Sequence, residues 1–295
     1  MALTNPITSG LIINSKKFSY VVNKLRTFFL SKGFIEVHTQ NRLSILAACE
    51  DPTTISIFNY ANSRFPLPQT GQMWLEHEIM TDPEPIGYFC VSTSYRNEPN
   101  PVPGRHDLVF PMFEFEFKGD LEELRVLEEE LLKYLGYKLI DGNDRYPAGN
   151  YLDVAKEFGT HEIEHSHEMR LYTERGHTAF FLMNFPEYTS PFWNMKRSIN
   201  IDTNIQTANK IDVILSGMET IGSAERSCDA DEMRHRFHSI SNGMYANTLY
   251  NHFGKERVDA ELEEFFKLKF IKRSGAGIGL TRLIRSMEKE GLLYQ

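Results

Sequence analysis

Cysteine is scarce in this chain, and its pattern excludes two kinds of scaffold. Cys49, Cys90 and Cys228 are odd in number and widely spaced over 295 residues. They fit neither a disulfide framework nor a zinc ribbon, and they point to a reducing compartment. Long apolar runs are also missing. The N-terminus MALTNPITSGLIINSKK holds no stretch long enough for a signal peptide, and no run reaches the length that crosses a bilayer. A cytoplasmic protein with no membrane partner is the expectation. There is no basic excess either. A formal net charge of −8 and a pI near 5.7 give no global field for nucleic acid, which counts against a nucleic-acid partner while leaving room for a local basic groove. With 41% hydrophobic and 24% charged residues the chain can bury a large core, as a globular enzyme does.

What the chain does have is concentrated between Tyr88 and Lys118, YFCVSTSYRNEPNPVPGRHDLVFPMFEFEFK. The β-branched and aromatic residues from Tyr88 to Tyr95 predict a strand, and Phe113-Glu114-Phe115-Glu116-Phe117 alternates with period two, predicting another. Between them Pro99, Pro101, Pro103 and Gly104 cannot pair in a ladder and predict a hairpin loop. Arg96 and Glu98 near one strand end, Glu114 and Glu116 on the other strand, and Arg105 with His106 in the loop suit a polyanion held with its counter-charges.

These residues resemble a known pattern. Tyr95-Arg96-Asn97-Glu98, a loop ending Gly104-Arg105-His106, and Phe110-Pro111-Met112-Phe113-Glu114 are similar to the second signature motif of class II aminoacyl-tRNA synthetases, F-R-x-E, loop, R-H-x-x-x-F-x-x-x-E. That motif binds ATP. The similarity is to the aspartyl/asparaginyl subgroup and to the short asparagine synthetase-related proteins descended from it. Ser274-Gly275-Ala276-Gly277-Ile278-Gly279-Leu280-Thr281-Arg282-Leu283 resembles the third motif, G-x-G-x-G-[LF]-x-R-L, whose glycines would let the strand pack beneath the nucleotide. A dinucleotide-binding turn is the tempting misreading, but that fingerprint belongs early in a strand-helix-strand unit.

Other stretches follow in the family's order. Helical spacing of Phe18, Val21, Val22, Leu25, Phe28 and Phe29, ended by Gly33 and followed by a strand over 34–39, resembles the first motif, which implies a homodimer; Gln40 stands where the family has proline. Residues 41–66 read as an irregular loop over the site. Leu67 to Glu76 resembles the L-x-x-S-G-Q-x-x-x-E stretch of asparaginyl-tRNA synthetases, which implies that Thr70, Gln72 and Glu76 bind the amino acid. The plainer reading is a helix N-cap at Thr70 with Gln72 and Glu76 exposed. Leu75 replaces the lysine of aspartyl-tRNA synthetases. The leucines and glutamates over 120–137 predict a surface helix whose acidic residues face solvent.

Residues 138–175 are polar and least like the family. His161-Glu162-Ile163-Glu164-His165 formally matches the zinc-protease pattern H-E-x-x-H, but with no third ligand an exposed polar helix is the preferred reading. Phe192-Trp193-Asn194-Met195-Lys196-Arg197 resembles a segment whose basic residue reaches the substrate side chain, which makes Lys196 and Arg197 amino-acid-binding candidates; each could equally be a surface charge. Asp212 through Glu219, with Arg226 seven residues on, resembles D-L-x-L-x-G-x-E followed by arginine. The resemblance implies that Glu219, with Asp212 as second ligand, holds Mg²⁺; Gly222 takes the place of a helping serine, with Ser223 beside it.

The resemblance implies an α+β fold, a mostly antiparallel sheet flanked by helices, in a single catalytic domain over 1–295 without the subgroup's anticodon-binding barrel. It implies ATP and Mg²⁺ as cofactors and attack of an amino-acid carboxylate on the α-phosphorus of ATP, giving an acyl-adenylate. Arg96 would bridge the carboxylate and α-phosphate. Arg282 and His106 would hold the distal phosphates, with Arg105 alongside. Phe110 and Arg282 would sandwich adenine and Glu98 would read its amino group, although Val109 replaces the acid that precedes the stacking Phe in the family. Ammonia attacking activated aspartate is the first reading of the second step. A stand-alone enzyme aminoacylating tRNA, a protein or a small molecule is the alternative, favoured by a pocket suited to an uncharged side chain. A catalytically silent regulatory paralogue is a third.

Overall fold

A computed structural model describes residues 13–39, 44–48, 52–102, 105, 107–140, 142–200 and 204–294. His106 and Gln40 lie outside the described residues. In chain order the elements are α1 Ser15–Ser31, β1 Ile35–Glu36, β2 Ile57–Tyr60, β3 Ser63–Pro66, α2 Gln72–Thr81, β4 Gly87–Tyr95, β5 Val109–Phe117 and α3 Leu121–Leu135. Then come β6 Ala148–Asn150, α4 Tyr151–Phe158, α5 His165–Thr173, β7 Ala179–Pro186, β8 Arg197–Ile199, β9 Gln206–Leu215 and β10 Met218–Glu225. The chain ends with α6 Ala230–Ser239, α7 Met244–Phe253, α8 Lys255–Phe266, β11 Ser274–Gly279 and α9 Leu280–Lys289. No helix among the described residues is long and apolar enough to cross a membrane.

The central sheet runs β1-β4-β5-β11-β10-β9-β7-β6, with β8 also on β9. Among the described residues only β1 on β4 and β6 on β7 are parallel; the remaining pairs are antiparallel, as expected. The alternation of β5 decides what each face does. Phe113, Phe115 and Phe117 enter one core with Leu25 and Phe29 of α1, Leu131 of α3 and Leu283 of α9. Phe29 packs 5.0 and 4.7 Å, centroid to centroid, from Phe113 and Phe115; each buried ring contributes roughly 1.5–3 kcal/mol. Glu114 and Glu116 turn to the other face, toward α2. A second core there joins α2 to α6, α7 and α8 around the buried Trp193, and α4 and α5 close over β7 in a third.

Local chemistry sets the helix ends. Asn14 caps α1 by accepting from the amides of Lys16 and Lys17, and Asp120 and Glu123 form a capping box on α3, which ends at Gly136 with φ of 101°.

Four expectations need correction. The strand after Gly33 is only two residues long. The stretch expected to be irregular contains the β2–β3 hairpin, turned by Ala61 and Asn62 at positive φ, and no described residue of 44–66 lines the cleft described below. The acidic face of α3 is not wholly solvated: Glu128 and Glu129 are buried. Arg125 and Arg145 compensate Glu129, whereas burial, with the charges of Asp212 and Glu129 nearby, pushes Glu128 up to about 8. Finally, the exposed polar helix preferred for the histidine motif starts only at His165; His161 lies in a bend before α5 and stacks on Tyr188. The two histidines do not share a helix face, so the protease pattern has no structural counterpart.

Candidate active site

A cleft of about 370 Å³ opens where β5, β11, β10 and β9 meet the start of α2 and the N-terminus of α9. At one end it is strongly cationic. Arg96 follows β4 directly; its amide donates to Leu108 O across the loop and its guanidinium lies 5.9 Å from the Phe110 ring centroid. Arg282 sits in the first turn of α9, where Nη1 donates to Glu219 O at 2.7 Å and lies 3.8 Å from the Glu219 carboxylate. Arg105 is gripped by Glu168 of α5 at 2.8 and 3.0 Å, and the same carboxylate accepts from the Glu219 amide at 3.1 Å. Glu98 and Phe110 line this end too. Glu168 thus orients the loop arginine from the region that the sequence least explains.

Glu219, 37% exposed into the cleft, stands as an anion among these cations. Burial alone would raise it, but Arg282, Lys210, Arg96 and Arg105 outweigh that and hold it below the usual carboxylate range. Asp212 lies opposite Gly222 in the β9–β10 register. A Cβ on Gly222 would stand 3.5 Å from Glu219 Oε1 and 3.7 Å from Asp212 Oδ1, so two carboxylate oxygens converge on the space this glycine leaves. Such hard oxygen donors fit Mg²⁺, which takes its other ligands from phosphate and water. The described residues offer no group of three or more protein ligands that would suit a more fully caged metal. Lys210 Nζ donates to Asp212 Oδ2 at 3.1 Å, adding a resident cation that the sequence reading did not single out. The Ser223 hydroxyl is taken up by Ile211 O.

The other end is lined by polar and charged groups. Thr70 and Gln72 line it, as does Glu114, which accepts from the Thr70 and Ser92 hydroxyls and the Gly71 amide. Glu76 does not reach the cleft. It is fully buried, accepting from Arg273 through Oε2 and from Asn194 and Gln72 through Oε1. Glu76 therefore fixes Gln72 rather than being exposed or contacting a ligand in the cleft. Arg197 is likewise buried, closed by Glu187 and the carbonyls of Pro191, Phe192 and Met195, and burial lowers its pKa. Lys196 is half-exposed on Glu225. The basic side chain that does line this end is Arg226, 3% exposed, whose Nε and Nη2 both donate to Glu116 Oε1 at 2.9 and 2.5 Å. Its spacing from Glu219 was the available signal.

The glycines of β11 serve this floor. A Cβ on Gly275 would stand 2.1 Å from Glu116 Oε1 and 2.4 Å from Phe115 O; one on Gly277 would stand 2.7 Å from Met112 Cε. The first two glycines therefore make room for β5, and Gly277 and Gly279 also line the cleft above it.

With this geometry in hand, comparisons locate the fold. Residues 9–291 match the family "tRNA synthetases class II (D, K and N)". Among solved structures the chain resembles asparaginyl-tRNA synthetase from Pyrococcus horikoshii complexed with asparaginyl-adenylate, at TM-score 0.72 and 20% identity over 93% of this chain and 64% of that one. The Entamoeba histolytica asparaginyl-tRNA synthetase with asparaginyl-adenylate gives 0.71 and 18%, over 93% and 63%. A putative aspartyl-tRNA synthetase from Leishmania major Friedlin gives 0.70 and 19%, over 92% and 61%. The chain thus spans less than two thirds of these relatives. A search of curated proteins found no match.

Proposed function

The chain belongs to the class II tRNA synthetases of the D, K and N group, and we propose that it activates aspartate or a similar amino acid with ATP as an acyl-adenylate, then forms an amide with ammonia. The observation that supports this is one cleft with a cationic end at Arg96, Arg105 and Arg282 and a zwitterion-sized end at Thr70, Gln72, Glu114 and Arg226.

A carboxylate oxygen of the amino acid attacks the α-phosphorus; a new P–O bond forms as the bond to the β-phosphate oxygen breaks and pyrophosphate leaves. Arg96 would touch both the carboxylate and the α-phosphate, and Arg282 with Arg105 would take the charge on the leaving pyrophosphate. Phe110 offers a ring face to adenine and Glu98 an acceptor to its amino group. Glu219 and Asp212 would hold Mg²⁺, which neutralises phosphate charge when bound. Glu114 would receive the substrate ammonium and Arg226 its second polar group. In the second step ammonia attacks the acyl carbon, AMP departs and the nitrogen loses a proton.

A single catalytic domain acting in the cytoplasm as a homodimer is part of the same proposal. Leu30 and Ile35, exposed at the α1–β1 edge, support the dimer, and sedimentation would test it. Amino-acid-dependent exchange of labelled pyrophosphate into ATP, then AMP release with added ammonium, tests the function. Exchange with aspartate and ammonium-dependent asparagine would support it. Exchange without an ammonium response would move the acceptor to tRNA, a protein or a small molecule, and no exchange would leave a silent paralogue.

A further inference from the structure

Beneath the amino-acid end lies a buried quartet of charges, Arg226 with Glu116 and Arg273 with Glu76. Glu116, Glu76 and Arg273 are inaccessible to solvent and Arg226 nearly so. The groups are balanced, two positive against two negative. Glu116 meets Arg226 through Oε1 alone; its Oε2 is buried with no hydrogen-bond partner among the described residues. The surroundings leave little else to compensate it. Tyr88, opposite on β4, gives its hydroxyl to Asp82. Gly275, opposite on β11, has no side chain. Glu114, two residues along β5, and Cys90 on β4 offer no positive charge. Glu76 comes from α2, Arg273 from the segment entering β11, and Arg226 from the end of β10.

An amino acid bound in this cleft brings one carboxylate to Arg96 and its other end to Arg226. If that end is an amide, the quartet stays neutral. If it is a second carboxylate, an uncompensated negative charge is added beside the buried Glu116, where unpaired charge is strongly disfavoured. We propose that Glu116 resolves this by taking a proton: a dicarboxylic substrate binds with protonation of Glu116, and Arg226 turns its charge to the ligand, whereas an amide substrate binds with Glu116 ionised. The inference rests on the amino-acid-activating reading of the cleft and holds whichever aspartate carboxylate is activated. Burial, with Glu76 nearby, outweighs Arg226 and Arg273 and already brings Glu116 to about 7 in the free protein, so its proton is exchangeable in the working pH range.

Calorimetric titration of the whole protein with aspartate and with asparagine, in buffers of different ionisation enthalpy, measures the proton directly. At pH 8 aspartate should take up about one proton per site, falling as pH drops through 7, and asparagine about none. Above pH 7 the affinity for aspartate relative to asparagine should therefore fall about tenfold per pH unit. In Glu116→Gln the uptake and the slope should vanish together. The relative-affinity slope needs no variant, so failure of Glu116→Gln to fold leaves the inference testable. Equal uptake for the two ligands, or uptake that persists in Glu116→Gln, overturns this inference while leaving amino-acid activation standing. Binding of neither ligand overturns both.

Discussion

The two ends of the cleft use charge in opposite ways. At the floor of the polar end, Glu76 closes on Arg273 and Glu116 on Arg226, inside the protein and within 3 Å. At the cationic end, Arg282 stands 3.8 Å from Glu219, and Arg105 is steadied from behind by Glu168 while the cleft remains in front. Closed pairs fix geometry, because breaking one strands a buried ion. Spaced charges cost folding energy and are useful only if a polyanion completes them. The difference marks which charges hold the site and which would act on a substrate.

Substitutions can break this contrast. Arg273→Met should destabilise the fold most, by about 3–5 kcal/mol, since Glu76 is left buried and uncompensated; adding Glu76→Leu should recover most of that in denaturant titration. If Arg273→Met alone is neutral, the floor is not held by its ion pairs. Arg282→Ala should do the reverse, lowering pyrophosphate exchange roughly 10²–10³-fold while the unfolding midpoint stays nearly unchanged. Glu128 is a third kind, a buried carboxyl without a close cation, and sharpens the comparison through pH. Its pKa in the folded protein, about 8, lies above its ordinary value, so the native state binds the extra proton. Stability should fall as pH rises from about 5 to 8, with a slope of up to roughly 1.4 kcal/mol per unit, and Glu128→Gln should flatten that slope. The smallest effect belongs to Lys196→Ala: within about 1 kcal/mol in stability, because the lysine of this ion pair is half-exposed, and no change in exchange.

The sequence made the strands of the second and third motifs legible, together with the helices that follow the hydrophobic period, because those signals are local. Arg96, Glu98, Arg105, Phe110, Glu219 and Arg282, far apart in the chain, all line the one cleft. The amino-acid end was harder to read. Glu76 looks like an exposed helical glutamate until Arg273 arrives from 197 positions away, and Arg197 looks like a surface cation until the carbonyls of its own turn surround it. Charges read from sequence carry no partner, and burial is decided by partners. For the same reason Arg226 and Glu168 gave little signal, the first closed on Glu116 and the second hidden in the polar stretch before β7.

The glycines of β11 are not interchangeable, although the motif writes them with one letter. At 275 even a methyl group would strike a backbone carbonyl, which has nowhere to go; at 277 it would press on the mobile tip of a methionine; at 279 nothing outside the adjoining residues lies nearer than 3.8 Å. Tolerance to mutation should therefore widen residue by residue from the floor to the mouth of the cleft. A library randomised at these three positions and selected only for folding would return glycine, then glycine or alanine, then a broader set, turning one strand into a depth gauge for the site above it.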